Sequence, residues 1–167
     1  MRNSTSCHVV ADYFLLQIDP TAGDSISHLK LQKLVYYAQA WSLALRNEPL
    51  FRERVEAWAH GPVVPDLYQR FKNCGWQAID PTSLKTDPLA QLSDGDVEHL
   101  DGVWLRYGKF TGRQLEDISH AEAPWIDAYG DTPQHGRCEE EITHDAMKRF
   151  YKAVRKRDVA NTRAASA

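Results

Sequence analysis

Ser27-His28-Leu29-Lys30-Leu31-Gln32-Lys33-Leu34-Val35-Tyr36-Tyr37-Ala38-Gln39-Ala40-Trp41-Ser42-Leu43-Ala44-Leu45 is the stretch on which the fold turns. Leu31, Leu34, Val35, Ala38, Trp41 and Leu45 recur at three- and four-residue spacings, which places them along one face of an α-helix. Lys30, Lys33 and Gln39 fall elsewhere on the circumference. At the rise of an α-helix this segment spans roughly 30 Å, long enough to be the central element of a small domain.

On its N-terminal side, residues 5–17 form a second helix candidate, with Val9, Val10, Tyr13, Phe14 and Leu16 as its apolar stripe. Asp19-Pro20 and Gly23 break the chain between the two. On the C-terminal side, Asn47-Glu48-Pro49 ends the long helix. Residues 55–60 then alternate, Val55, Ala57 and Ala59 against Glu56, Trp58 and His60, the period of a strand. Residues 49–51, across Arg52-Glu53-Arg54, are its expected hairpin partner. Gly61-Pro62 stops the strand, and Pro65 suits the first turn of a third helix carrying Leu67, Tyr68 and Phe71.

Residues 79–91 read as a loop with Pro81 and Pro88. Ser93 with Asp96, and Thr111 with Gln114, are capping boxes that open two further helices. Pro124 separates Trp125–Tyr129 as a turn of its own, and Thr143 caps a last helix reaching about Arg157. The expected fold is mainly α: a compact single-domain helical bundle around a long central helix, with a small β-hairpin. Residues 1–157 form the domain, and residues 158–167 a flexible C-terminal tail.

Composition narrows the function classes. The chain has 167 residues, a formal net charge of −3, 43% hydrophobic and 26% charged residues, values of an ordinary globular domain. No apolar run is long enough to cross a membrane, and residues 1–14 lack the apolar core of a signal peptide. Three scattered cysteines fit a reducing cytoplasm better than a disulfide framework. Ten percent aromatics in a chain of mean hydropathy −0.53 leaves room for aromatic residues on a binding surface.

The chemical readings are mostly negative. Seven histidines and three cysteines contain no Cys-x-x-Cys and no His-x-x-x-His pair, so no metal or other cofactor is expected. No Gly-x-Ser-x-Gly elbow and no phosphate-binding glycine loop is present, and no catalytic residue is assigned. Residues 148–157 carry Lys148, Arg149, Lys152, Arg155, Lys156 and Arg157 without an acid, a candidate phosphate-contacting helix. Against nucleic-acid binding stand the net negative charge and residues 79–105, with six acids and only Lys85. Recognition of another protein remains: Tyr36 and Tyr37 are neighbours that can hardly share one core face, and Trp58 and His60 oppose the apolar side of their strand.

Three blocks carry a family resemblance: Leu29-Lys30-Leu31-Gln32-Lys33-Leu34-Val35-Tyr36-Tyr37-Ala38-Gln39-Ala40, then Glu56-Ala57-Trp58-Ala59-His60-Gly61-Pro62-Val63-Val64-Pro65-Asp66-Leu67-Tyr68, then Leu115 through Ser119-His120-Ala121-Glu122-Ala123-Pro124-Trp125. In this order they resemble the Panacea domain, the SocA-like antitoxin domain of bacterial and phage toxin–antitoxin pairs; Ser119 stands where that family often has Thr. The resemblance implies a helical domain that neutralises a cognate protein toxin by binding it. It also implies a possible adaptor role, delivering the toxin to a ClpXP-type AAA+ protease, in a stand-alone cytoplasmic form that is not an enzyme. A DNA-binding regulator of its own operon is the alternative.

The expected partner surface is Tyr37, Trp58, His60, Val63 and Tyr68, with Lys148, Arg149, Lys152, Arg155, Lys156 and Arg157 as a second or adaptor surface. Lys30 and Lys33 are expected to meet acids of the partner or of the chain itself. Either the signature lines a groove beside the Gly61-Pro62 turn, or it is scaffold and recognition lies elsewhere.

Overall fold

Stretch 27–45 forms α2 (His28–Arg46), a 19-residue helix opened by Ser27, whose hydroxyl accepts the Lys30 N–H, and closed by Asn47 in the left-handed region. A computed structural model describes residues 4–166; expectations for residues 1–3 and 167 lie outside the described residues. Around α2 the chain runs α1 (Cys7–Leu16), a hairpin of β1 (Glu56–Trp58) and β2 (Gly61–Val63), α3 (Pro65–Phe71), α4 (Pro88–Gln91), α5 (Asp94–Tyr107), α6 (Gly112–His120), α7 (Ala123–Tyr129) and α8 (His144–Ala165). The protein is mainly α with one small antiparallel pair, as expected.

Helices α1, α3, α5, α6 and α8 and strand β2 all pack on α2, so it is enclosed on every side rather than on one face. That corrects the one-sided stripe. Tyr36 and Tyr37 are both fully buried, and so are Gln32, Lys33, Gln39 and Ser42. Leu45, expected on the buried face, is instead exposed at the helix end, and in α1 Leu15 rather than Leu16 enters the core.

Burying polar groups in a core helix requires partners for them. Gln39 spans the gap to the chain that follows α2: its Nε2 donates to the Phe51 carbonyl at 2.8 Å, and its Oε1 accepts the N–H groups of Leu50 and Phe51. This is why residues 49–51 do not pair with the strand. Their backbone is already bonded to α2, and Phe51 instead bridges Thr5. The hairpin therefore closes the other way. Glu56 pairs with Val63, Ala57 with Pro62 and Trp58 with Gly61, leaving Ala59-His60 as a two-residue turn. Outside the pair, Ala57 donates to the Glu140 carbonyl at 2.9 Å and Val55 accepts from Ile142 at 2.8 Å.

Both capping boxes form as read: the side chains of Ser93 and Thr111 receive the N–H three residues on, and Asp96 and Gln114 bond back. Residues 80–87 are held against α1 by Asp12. Its fully buried carboxylate accepts the Arg70 guanidinium, the Lys85 N–H at 3.1 Å, and both the N–H and hydroxyl of Thr86. Within the expected loop, α4 is an added turn capped by Asp87 and started by Pro88. Helix α8 continues to Ala165 instead of ending near Arg157. Ala160, Ala164 and Ala165 favour helix strongly enough to carry it on. No described helix is long and apolar enough to cross a membrane.

Candidate functional site

The hairpin turn positions the site. Gly61 has φ of +101°, and a Cβ there would come within 2.7 Å of Lys33 Cε and 2.9 Å of Ser119 Oγ, so the strand passes directly over the lysine. Lys33 Nζ donates to the Pro62 carbonyl at 3.1 Å. Full burial lowers the Lys33 pKa to about 7, with the nearby Glu116 carboxylate opposing the shift. The expected encounter of Lys33 with an acid is thus internal. Lys30 instead donates to the Gly108 carbonyl at 2.6 Å and lies over the Trp104 ring.

Above Lys33 opens a cavity of about 600 Å3, bordered by α2, the hairpin, α3, the turn at Gly75-Trp76 and residues 135–139. Four of the expected contact residues, Trp58, His60, Val63 and Tyr68, meet in its wall. Trp58 stands edge-on to Tyr68 with ring centroids 4.9 Å apart. Tyr68 stacks on His28 at 5.2 Å. Gln32 Nε2 donates to His28 Nε2 at 3.1 Å, while Gln32 Oε1 takes the Val64 N–H. Burial lowers the His28 pKa to about 4, helped by the neighbouring Lys33 charge, so the ring is neutral near pH 7.

His60 is half exposed on the turn, with Nδ1 3.0 Å from Glu116, and its ring meets Trp76 edge-on at 5.6 Å. Trp58 is fixed from behind: its carbonyl accepts Trp125 Nε1–H at 2.8 Å, and its own indole N–H donates to Glu56. Val63 is nearly buried and contributes shape.

Tyr37 is not part of this wall. It lies fully buried in the core, stacked on Tyr107 at 4.0 Å, with its hydroxyl donating to Glu122 at 2.7 Å. Glu122 also accepts from Tyr151, so this buried carboxylate ties α2, α7 and α8 together. Burial raises its pKa, and the two tyrosine hydroxyls pull it back. Closed packing between α2 and α8 withholds Tyr37 from any partner.

Trp76 was missed by periodicity. It is 75% exposed at the cavity mouth, on a turn after Gly75, where no helical stripe exists to reveal it. His28, Gln32 and residues 135–139 were likewise missed, because their place depends on long-range packing. On α8, Arg149, Lys152, Arg155, Lys156 and Arg157 are exposed and Lys148 is half-buried; Lys152 donates to Asn47 at 2.8 Å, and Arg149 lies 3.7 Å from Asp145. Among the described residues no group of three or more His, Cys, Asp or Glu side chains is arranged to hold a metal.

The aromatic cavity behind the glycine turn is lined by residues of the first two motif blocks, and the third backs it through Glu116 against His60 and Trp125 against Trp58. Residues 31–126 match the family described as Antitoxin SocA-like, Panacea domain. The chain belongs to this family. It is also 37% identical over 109 residues to Antitoxin SocA of Caulobacter vibrioides (strain NA1000 / CB15N). That match covers 60% of this chain and 58% of the relative's own length. No solved structure matches significantly. The matched region of the family spans α2 to α7, and so contains most of the cavity wall while stopping short of α8 and residues 135–139.

Proposed function

We propose that the protein is an antitoxin that binds a cognate protein toxin in the cytoplasm and neutralises it by occlusion, without covalent chemistry. The observation that carries this reading is the convergence of Trp58, His60, Val63 and Tyr68, joined by Trp76, around one cavity within a SocA-like antitoxin domain. Half-buried Trp and Tyr rings held by neighbours lose little entropy on binding and are favoured anchors at interfaces. The occupant is an apolar or aromatic segment of the toxin seated against these rings.

Co-expression with the product of the neighbouring reading frame tests it. Wild type rescues growth and captures that product. Trp58→Ala with Trp76→Ala loses both while the melting transition of the antitoxin persists. Retained capture by this folded variant would remove the cavity from the interface.

The exposed basic face of α8 supports a second role, presentation of the bound toxin to a ClpX-like protease. Reversing the charges of Lys148, Arg149, Lys152, Arg155, Lys156 and Arg157 then leaves toxin capture intact and stops its degradation. The same face favours, more weakly, a regulator on operator DNA. A salt-sensitive shift of promoter DNA by the protein would support that reading.

A further inference from the structure

Helix α8 carries seven lysines and arginines against two acids, in a chain whose formal net charge is −3. Both acids are engaged within the chain: Asp145 lies 3.7 Å from Arg149, and Asp158 accepts from Arg106 of α5 at 3.0 Å. The helix lies beyond the region matched to the family, which ends at residue 126. Past Tyr151 it buries no described residue, so the core does not account for its distal half. Four cations fall on one side of that half. Lys152, Arg155, Lys156 and Arg163 recur at helical spacings and border a depression of about 560 Å3, with no acid beside them. Among the described residues none of the four is in an ion pair, and Lys152 donates to the neutral Asn47 side chain. Lys152 and Lys156 stand one turn apart and repel each other, a cost to the helix that an anionic partner removes.

Between the cations the floor is apolar and small: Ala44 at the end of α2, Val159 and Ala160. Val159 is 44% exposed. Small residues at this contact let a second helix lie at the usual axial separation of about 8–10 Å. Nucleic-acid phosphates and protein carboxylates are the two macromolecular anions such a stripe attracts, and the neighbouring surface favours the carboxylates. Arg155 and Val159 also border the concavity beside α5, where Glu98 and Asp158 stand. A duplex is much wider than a helix, and laid on the stripe it would carry its second row of phosphates toward these acids. Phosphates also gain nothing from an apolar floor. A single acidic helix, about 10–12 Å across, covers the stripe and the floor without reaching further.

We propose that the stripe of Lys152, Arg155, Lys156 and Arg163 docks an acidic amphipathic helix of a protein partner, whose carboxylates flank small apolar residues resting on Ala44, Val159 and Ala160. The inference rests on the second role given to α8 above, contact with a protein other than the toxin, and names the chemistry that this contact requires.

Fluorescence anisotropy on the full chain tests it. The probe is a labelled synthetic peptide of about 20 residues, with two rows of glutamate flanking alanine and leucine at helical spacing. A shuffled peptide of the same composition and a DNA duplex of about 20 base pairs are the comparisons. The amphipathic probe binds with a micromolar Kd, weakened severalfold between about 50 and 200 mM salt, and the shuffled peptide binds at least about fivefold less tightly. Lys156→Glu and Arg157→Glu change the net charge equally, one residue apart and both at exposed sites, but only Lys156 borders the depression. With melting transitions unchanged, Lys156→Glu weakens the probe by at least about fivefold and Arg157→Glu by less than about twofold. Equal losses in the two variants would reduce the attraction to net charge and overturn the proposal. Equal binding of the shuffled peptide would do the same, and tighter binding of the duplex would assign the stripe to nucleic acid. No readout involves toxin or its degradation. Probe binding without a protease role, or a protease role without probe binding, therefore separates this inference from the reading it rests on.

Discussion

Lys33 is the residue whose environment departs furthest from its chemistry. Its ammonium has no exposed surface, one carbonyl partner and a carboxylate near enough to be felt. Its folded pKa of about 7 lies below the 10.5 of an unburied lysine. Between these values the unfolded chain binds the proton and the native chain does not, so stability rises with pH in that window. From pH 7 to pH 9 the free energy of unfolding should rise by about 1–2 kcal/mol, and Lys33→Met should flatten that slope. Urea titrations at the two pH values measure it; a slope unchanged in the variant would place the titration elsewhere. Asp12 is the second such residue, its carboxylate shared by Arg70 and by Lys85 and Thr86 of the loop. Asp12→Ala strands a buried guanidinium and should cost about 3–5 kcal/mol in denaturant unfolding. Residues 80–87 should then become cleavable by trypsin at Lys85. Neither role was legible in the sequence, because a helical stripe is read from apolar residues and assigns Lys33, Gln39 and Asp12 to solvent by default.

At the scale of elements, local signals were read correctly and distant ones were not. Capping boxes close within four residues, so Ser93-Asp96 and Thr111-Gln114 could be read without knowing the fold. Thr111→Ala should lower stability by about 1 kcal/mol in thermal or urea melts. The strand at 56–58 was legible from its alternation, but its partner was not. The choice between 49–51 and 61–63 is made by Gln39, whose amide occupies the backbone of Leu50 and Phe51 from eleven and twelve residues away. Gly61→Ala should destabilise by about 1–3 kcal/mol, since the residue combines a positive φ with contact on Lys33. The same variant should weaken toxin capture more than Thr111→Ala, because the turn carries His60 and aims Trp58. Equal effects of the two on capture would mean that the hairpin has no part in binding.

For the whole molecule, the decisive property is an all-round enclosure of α2. It explains why the aromatic excess did not become a sticky surface: Tyr36, Tyr37 and Tyr151 are all buried about that helix, joined through hydroxyl contacts to one another and to Glu122. The cavity was half legible, as Trp58, His60, Val63 and Tyr68, since these lie within one short motif. Its far wall at 135–139 joins it only through tertiary packing. Enclosure also sets the acid response. Burial lowers the pKa of His28 to about 4, and lowers those of His8, His99 and His120 as well. In each the fold holds the ring's pKa below the unfolded value near 6.5, so between the two values the unfolded chain holds more protons. Stability is therefore lost as pH falls through that window, by about 2–3 kcal/mol from His28 alone at its lower end. Glu122, with a raised pKa, works in the opposite sense but is one group against four. Urea midpoints at pH 7 and pH 5 should differ accordingly, and His28→Gln should narrow the gap.

Trp76 has a use quite apart from affinity. Of the five indoles, it is the one that stands 75% in solvent, at the mouth of the cavity and on a turn instead of a helix. Its emission should be quenched by iodide and lie to the red of the sheltered ones. A ligand entering the cavity would strip water from this ring and shift its light to the blue. The molecule thus carries an intrinsic optical probe at its own doorway, readable without a label, and Trp76→Phe provides the dark control.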